Sequence, residues 1–165
     1  MGRGEALAFD EGLARVSKEL RRLDPYTFWV VPAGAGSVGD TIVVGTTGVF
    51  LIATWPAPGA FSIERGRPTV DTQVIPGVRA LRSNAKGLAN KLSGAAVSAE
   101  VLPVICLTHA AIGMPRDAKG VRFVGLDELV SDLTSRPRTL ELLRVHRAAR
   151  TLGVQIAGDA KRRSG

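Results

Sequence analysis

Two stretches of the chain repeat apolar residues at intervals of three and four, the spacing that places side chains along one side of an α-helix. The first covers residues 11–23, with apolar positions at Leu13, Val16, Leu20 and Leu23. The second covers residues 73–92, with apolar positions at Val78, Leu81, Ala85, Leu88 and Leu92. The pattern predicts two amphipathic helices, and Pro76 indicates that the regular part of the second begins near that residue.

Shorter apolar runs, rich in β-branched residues, are typical of strands. They predict strands at residues 26–31, 40–44, 49–54, 60–63, 101–107 and 121–124. The short glycine-flanked linker at residues 45–48 predicts a hairpin between the second and third of these strands. Because both strands of this hairpin are almost continuously apolar, we expect helices to cover the sheet on both faces.

Two further helices are predicted at residues 126–133 and at about 139–152. The order is then helix, three or four strands, helix, two strands and two helices, which predicts an α/β protein. No internal repeat or second domain is evident, so we expect one domain at residues 1–152. Residues 153–165 are predicted to form a basic, flexible tail.

The charge of the chain indicates which class of partner the protein could bind. The 165 residues carry a net charge of +7, and the sequence pI is near 10.5. A basic protein attracts polyanions, because binding to phosphates releases condensed counterions. Part of the excess lies in the tail, at Lys161, Arg162 and Arg163, where a solvated chain end is the favoured explanation.

The single cysteine, Cys106, cannot form an intramolecular disulfide and lies in an apolar run. This favours a buried thiol in a reducing compartment. The chain begins without the apolar segment of a signal peptide, and no apolar run approaches the roughly 20 residues that span a bilayer. We therefore expect a soluble, cytoplasmic protein that does not associate with membranes.

Two motifs with a chemical meaning turn out to be incomplete. Residues 34–39 match the dinucleotide fingerprint G-x-G-x-x-G, but a strand rather than the required helix is predicted after them, which favours a flexible glycine loop. Cys106 and His109 have metal-like spacing, yet His146 is the only other histidine and a zinc site needs three or four ligands. We predict neither a nucleotide site nor a zinc site.

Two other features each allow two interpretations. Arg79, Arg82 and Lys86, continued by Asn90, form a stripe along the second predicted helix, either a solvated face or a track for a phosphate backbone. Asp40, at the start of the first hairpin strand, is either a turn residue or a ligand for a hard metal ion.

Residues 39–55, which read GDTIVVGTTGVFLIATW, resemble the signature of the NERD (nuclease-related) domain. That signature is an aspartate followed by histidine, an apolar triplet, G-x-x-G-V-F, two apolar residues and E-x-K. The family belongs to the PD-(D/E)xK nuclease superfamily, and the resemblance extends loosely over residues 11–133. It implies a restriction-endonuclease-like core of helix, β-meander, helix and strand, with a central mixed sheet flanked by helices.

In such nucleases the aspartate and the glutamate of E-x-K bind a divalent cation, and the lysine helps to activate water. Residue-to-residue matching places Asp40 at the aspartate position, Ala53 at the glutamate position and Trp55 at the lysine position. Gln73 matches a glutamine that the family often carries after the meander. The resemblance therefore implies a vestigial site that binds metal weakly or not at all.

Other positions also depart from the family pattern. Thr41 replaces the histidine after the aspartate, and the early family glutamate falls at about Leu13, with Glu11 or Glu5 as substitutes if the alignment shifts. An active site could be rebuilt only if Glu64, Asp71 or Lys86 projected into the vacant positions.

Three hypotheses follow from the sequence. The first is a pseudo-nuclease that binds nucleic acid nonspecifically through Arg79, Arg82 and Lys86 and needs no cofactor. The second is an active but noncanonical Mg²⁺-dependent DNA endonuclease that uses Asp40 with migrated partners. The third is a structural domain in which Trp55 and the segment 56–58 fill the old cleft and present an apolar patch to another protein.

Overall fold

The structure, a computed structural model, describes residues 3–33 and 39–163, without the side chains of residues 5, 6 and 154–163. The α-helices of this part are α1 (Arg3–Leu20), α2 (Val78–Gly94), α3 (Leu129–Thr134) and α4 (Leu142–Arg163). A short 3-10 helix, Leu126–Glu128, leads into α3. No helix in these ranges is long and apolar enough to cross a membrane.

Ten strands are described, and they form two sheets. The larger sheet contains β1 (Phe28–Pro32), β2 (Thr41–Gly45), β3 (Gly48–Trp55), β7 (Val101–Leu107), β9 (Arg116–Ala118) and β10 (Val121–Gly125). The smaller sheet contains β4 (Gly59–Glu64), β5 (Arg67–Val70), β6 (Gln73–Val74) and β8 (Ala110–Ala111).

The larger sheet is mixed, with the order β1-β2-β3-β7-β10-β9. Strands β1, β2 and β3 form an antiparallel meander, and the register pairs Thr41 of β2 with Ile52 of β3. Strand β7 lies parallel to both β3 and β10, and β9 closes the edge in antiparallel pairing. Parallel neighbours need a crossover, and α2 lies within the connection from β3 to β7.

Helices cover both faces of this sheet. On one side, the α2/α4 face, Leu81 and Val145 share a core cluster with Leu51 of β3. On the other side, the α1/α3 face, Val16 and Leu129 pack with Ile52. All five residues of β2 are buried, because apolar layers contact the strand from both sides. The predicted central mixed sheet flanked by helices is confirmed.

The smaller sheet lies on the α2/α4 face, next to β10. The ring centroids of Phe61 in β4 and Phe123 in β10 are 5.1 Å apart, and Val70 of β5 belongs to the same core cluster. The sequence predicted only one strand in this region. Strands of two to four residues with mixed polarity carry too little periodicity to be detected.

Several predicted helix ends were wrong. Helix α2 begins at Val78, close to Pro76, where its regular part was predicted to start, but Gln73 and Val74 pair with β5 instead of joining the helix. Helix α1 begins at Arg3 rather than at residue 11 and ends at Leu20 rather than at residue 23.

The last helix also has different ends. The amides of Thr139 and Leu140 both donate to the carbonyl oxygen of Thr46, at 2.9 and 3.1 Å, and α4 starts only at Leu142. These amides are bound to the β2–β3 turn, which explains the later start. Helix α4 continues to Arg163 instead of ending at residue 152. The flexibility predicted for residues 153–165 stays a prediction.

Candidate functional site

Asp40 lies immediately before β2, beside the last residues of β3. Its amide donates to the carbonyl of Ile52 at 2.7 Å, and its carbonyl accepts from the amide of Ala33 at 3.1 Å. The carboxylate Oδ2 accepts a hydrogen bond from the amide of Thr54 at 2.5 Å. The side chain is therefore held against the edge of β3 by a bond to the backbone.

Burial shifts the pKa of this carboxyl group. Desolvation raises the pKa of Asp40 above its ordinary value, and hydrogen bonding from Thr54 opposes the shift without cancelling it. A metal ion or a nearby arginine would have the opposite effect, because a positive charge favours the carboxylate. No cationic side chain among the described residues contributes to the shift.

The positions that the resemblance assigns to the E-x-K motif lie next to Asp40. Continuing the register from Thr41 and Ile52 places Ala53 across from Asp40, with Trp55 two residues further along β3. Ala53 and Trp55 are both half-buried and pack against the core of the α2/α4 face. Alternation along β2 places Asp40 on this face too, because Ile42 and Val44 belong to the same cluster.

The chemistry of these positions does not provide a metal centre. Alanine has no ligand atom, and the only polar atom of Trp55, the indole Nε1, is a donor that is buried without a hydrogen-bond partner. Across the described ranges, no group of three or more histidine, cysteine, aspartate or glutamate side chains is arranged to hold a metal ion. Asp40 has a hydrogen bond but no described set of partner ligands.

The candidate replacement groups are engaged elsewhere or exposed. Asp71 Oδ1 accepts from the amide of Ala60 at 2.8 Å, within the smaller sheet. Glu64 is exposed at the end of β4, across from Arg67, and Lys86 is exposed on α2. Glu11 Oε1 lies 3.0 Å from Arg15 and 3.9 Å from His109 Nε2. Glu5 has no described side chain.

Gln73 lies in the smaller sheet. It is an exposed residue of β6, paired in register with Val70 of β5. The sequence placed it at the start of a helix, and the strand instead fixes its backbone to β5.

The basic stripe predicted on α2 is solvent-exposed. Arg79, Arg82 and Lys86 are all exposed, because they lie away from the buried residues Leu81 and Ala85. Arg82 has a structural contact as well: its Nη1 donates to the carbonyl of Lys119 at 2.8 Å. This bond fixes the turn between β9 and β10 against α2 and adds another exposed cation beside the stripe.

Sequence reasoning missed a second basic helix face. Helix α4 contacts α2, and its Arg144, Arg147 and Arg150 side chains are exposed. Residues 142–158 contain no aspartate or glutamate, which is the signal that could have revealed this face. The three arginines form no ion pair with the acidic side chains that the structure describes. Exposed cations without an ion-pair partner among the described residues therefore extend from α2 across to α4.

On the α1/α3 face, by contrast, part of the exposed positive charge is paired with acidic side chains. On α1, Arg15 pairs with Glu11 at 3.0 Å and Arg22, just beyond the helix, pairs with Glu19 at 2.9 Å. These pairs neutralise part of the charge on that side. The exposed positive charge is consequently more concentrated on the α2/α4 side than the sequence alone indicates.

Cys106 and His109 have no metal-ligand set around them among the described residues. Cys106 is buried, and burial raises the pKa of its thiol to about 12, which keeps it protonated and unreactive. His109 Nδ1 lies 2.8 Å from the hydroxyl of Thr108. Of the glycine loop, residues 34–38 lie outside the described residues. The strand β2 follows Asp40, as predicted, so the glycines do not lead into a helix.

Comparison of the chain with protein-family models, with curated proteins and with solved structures gave no match. The resemblance to the NERD domain therefore rests on the motif at residues 39–55 and on the order of the elements, and it stays a prediction.

Proposed function

We propose that the protein is a catalytically degenerate, nuclease-related domain that binds nucleic acid nonspecifically. The observation that carries the proposal is the exposed basic surface of α2 and α4, whose exposed cations pair with no acidic side chain that the structure describes. It lies beside a site in which Asp40 has no partner ligands among the described residues. A basic surface and a lost metal site together favour binding without hydrolysis.

The lost metal site is the argument against cutting. Magnesium prefers near-octahedral coordination by several oxygen atoms. Asp40 supplies one carboxylate, and Ala53 supplies no ligand atom. The indole N–H of Trp55 is a hydrogen-bond donor and cannot coordinate a metal ion.

The attraction to nucleic acid is electrostatic. Arg79, Lys86, Arg144, Arg147 and Arg150 are exposed cations on adjoining helices. Phosphate contacts of this kind provide essentially all nonspecific affinity for DNA. Duplex DNA is the favoured form, because Tyr26 is the only aromatic residue among the exposed large apolar side chains described, and single-strand binding relies on aromatic stacking.

The protein-interaction hypothesis has weaker support. It requires Trp55 and the segment 56–58 to present an apolar patch. Trp55, however, packs against the core of the α2/α4 face and is half-buried, so it offers little apolar surface to a partner. Of the prolines in the segment, only Pro58 is exposed.

The test is binding to a short labelled DNA duplex across a salt series, once with EDTA and once with Mg²⁺. We expect a dissociation constant on the order of 10⁻⁴ to 10⁻⁶ M at physiological salt. The logarithm of the affinity should fall by about 0.9 per phosphate contact for each decade of salt. The affinity should be the same with EDTA as with Mg²⁺, and the DNA should be recovered intact.

Two outcomes would contradict the proposal. Cleavage that EDTA and Asp40→Asn both abolish would show an active metal-dependent nuclease. No binding at low salt would leave the protein-interaction hypothesis as the better account.

A further inference from the structure

Three hairpins in the structure are closed by two-residue turns with positive φ at both residues. They are Arg65–Gly66 between β4 and β5, Asp71–Thr72 between β5 and β6, and Lys119–Gly120 between β9 and β10. Their φ values are 51° and 78°, 48° and 72°, and 54° and 77°, respectively. Positive φ at both central residues is the signature of the type I′ turn.

The residue at the first position differs among these turns. Type I′ turns favour asparagine, aspartate or glycine there, because other L residues in the left-handed region are strained by about 1–2 kcal/mol. Asp71 follows that preference, and its carboxylate accepts a hydrogen bond from Ala60. Arg65 and Lys119 do not, so two turns keep a long cationic side chain where a short polar one would be more stable. Backbone strain of this kind is often found at functional sites.

The two cationic turns lie beside each other. A Cβ atom built on Gly66 would lie 3.9 Å from Nζ of Lys119. The Lys119 ammonium group is thus close to the backbone of the turn that carries Arg65. The packing of the smaller sheet on β10, through Phe61 and Phe123, brings these turns together.

Helix α2 fixes one of these turns. Arg82 Nη1 donates to the Lys119 carbonyl, and a Cβ atom on Gly120 would lie 2.9 Å from Cδ of Arg82. Arg79 and Lys86 lie three residues before and four residues after Arg82, on the same exposed side of the helix. The α2 stripe and the two turns therefore form one continuous surface.

This surface carries like charges without matching acids. Arg65, Lys119, Arg79 and Lys86 are exposed, and none of them forms an ion pair with an acidic side chain that the structure describes. Glu64 is the nearest acid in sequence to Arg65, and it lies across from Arg67 in the hairpin. Cations held close together without ion-pair partners raise the local positive potential, which favours a partner with regularly spaced anions.

We propose that the turns Arg65–Gly66 and Lys119–Gly120 bind the phosphate backbone of duplex DNA as an extension of the α2 stripe. This inference rests on the proposed nucleic-acid binding. It assigns Arg65 and Lys119, which the motif and the helix pattern did not identify, to the same DNA-binding surface. In this proposal Arg65 and Lys119 contact backbone phosphates and no base edges, so these contacts give no sequence specificity.

The test is the double variant Arg65→Asn/Lys119→Asn, with duplex DNA as the probe. Asparagine is favoured in the left-handed region, so Tm should stay the same or rise, which separates binding from folding. We expect the salt slope of the logarithm of the affinity to become shallower by about 0.9 for each of the two residues that contacts a phosphate. Affinity at low salt should fall by about tenfold or more.

The matched control is Lys18→Gln/Arg21→Asn. These exposed cations belong to α1 and the turn after it, on the opposite side of the sheet, and the control removes the same net charge. It should change affinity by less than about twofold, since distant charges are screened. Equal effects of the two double variants would overturn the inference and indicate a net-charge effect.

A third variant distinguishes the failure of this inference from the failure of the proposed function. If Arg79→Gln/Lys86→Gln weakens binding while the turn variant binds as the wild type does, the α2 stripe binds DNA and the turns do not. If the wild-type protein binds no DNA at low salt, the inference and the proposed function fail together.

Discussion

Asp40 combines a fixed backbone position with a partly buried carboxyl group. Its backbone is paired at the start of β2, and its carboxylate is held by the Thr54 amide. The group is nevertheless desolvated without a cation nearby, so its pKa is raised. Burial therefore disfavours the charged form of this side chain.

This environment predicts the effect of Asp40→Asn. Because the folded pKa is raised above the ordinary value of 3.8, Asp40 contributes stability that is complete below that pH and is lost as pH rises through the raised pKa. At pH 7 the neutral amide should therefore raise Tm, and its Oδ1 can still accept from Thr54. The gain should disappear near pH 3, where the wild-type carboxyl is also neutral.

Thermal unfolding at both pH values measures this difference. The control is Asp10→Asn, an exposed position on α1 that should change Tm little at either pH. A lower Tm for Asp40→Asn at pH 7 would contradict the interpretation, because it would mean that the ionised carboxylate stabilises the fold.

At the scale of elements, an ionic network joins β10 to α3. Arg122 Nη2 donates to Asp132 Oδ1 at 2.6 Å, and Arg122 Nε lies 3.2 Å from both carboxylate oxygens. Arg136 adds a longer contact to Asp132 at 3.5 Å, and Asp117 lies 3.1 Å from Arg122 on the exposed side. Since Asp132 is 8% exposed, these partners compensate a nearly buried charge.

We predict that Asp132→Asn lowers the free energy of unfolding by about 1–3 kcal/mol, because it leaves Arg122 without its buried partner. Asp117→Asn is the matched control. It removes the other carboxylate of the same arginine, but this side chain is 70% exposed, and the loss should be under about 1 kcal/mol. Urea unfolding of both variants measures the difference. Equal losses would show that burial does not determine the strength of this network.

At the scale of the whole molecule, the two helix layers differ in charge. Cations of the α1 layer are partly paired with Glu11 and Glu19, whereas residues 142–158 of α4 contain no acid. The α2/α4 layer therefore faces solvent with a more positive surface. A polyanion should approach and bind on this side.

We predict that the triple variant Arg144→Gln/Arg147→Gln/Arg150→Gln binds duplex DNA about tenfold or more weakly. The dependence of its affinity on salt concentration should also be shallower. Glutamine keeps most of the side-chain length and is a good helix former, so Tm should change little. Salt titrations compare this variant with Lys18→Gln/Arg21→Asn on the other layer. Unchanged binding would exclude α4 from the DNA-binding surface and leave α2 and the turns.

The sequence by itself determined the elements that carry their own periodicity. The apolar stripes of α1 and α2, the hairpin of β2 and β3, and the strands β7 and β10 were predicted near their observed places. The full burial of β2 followed as well, since a strand apolar on both sides needs cover on both sides. Asp40, Ala53 and Trp55 were identified by matching a motif, and strand pairing places them as neighbours.

Only the tertiary structure decided the features that depend on contacts between distant segments. The smaller sheet exists because short strands pair with each other and Phe61 packs on Phe123, which no local pattern records. The start of α4 depends on amides bound by Thr46, far away in sequence. Lys119 joins the α2 stripe through a bond to Arg82, 37 residues away. Local periodicity reports which face of an element is buried, whereas the surface a partner meets depends on how separate elements pack together.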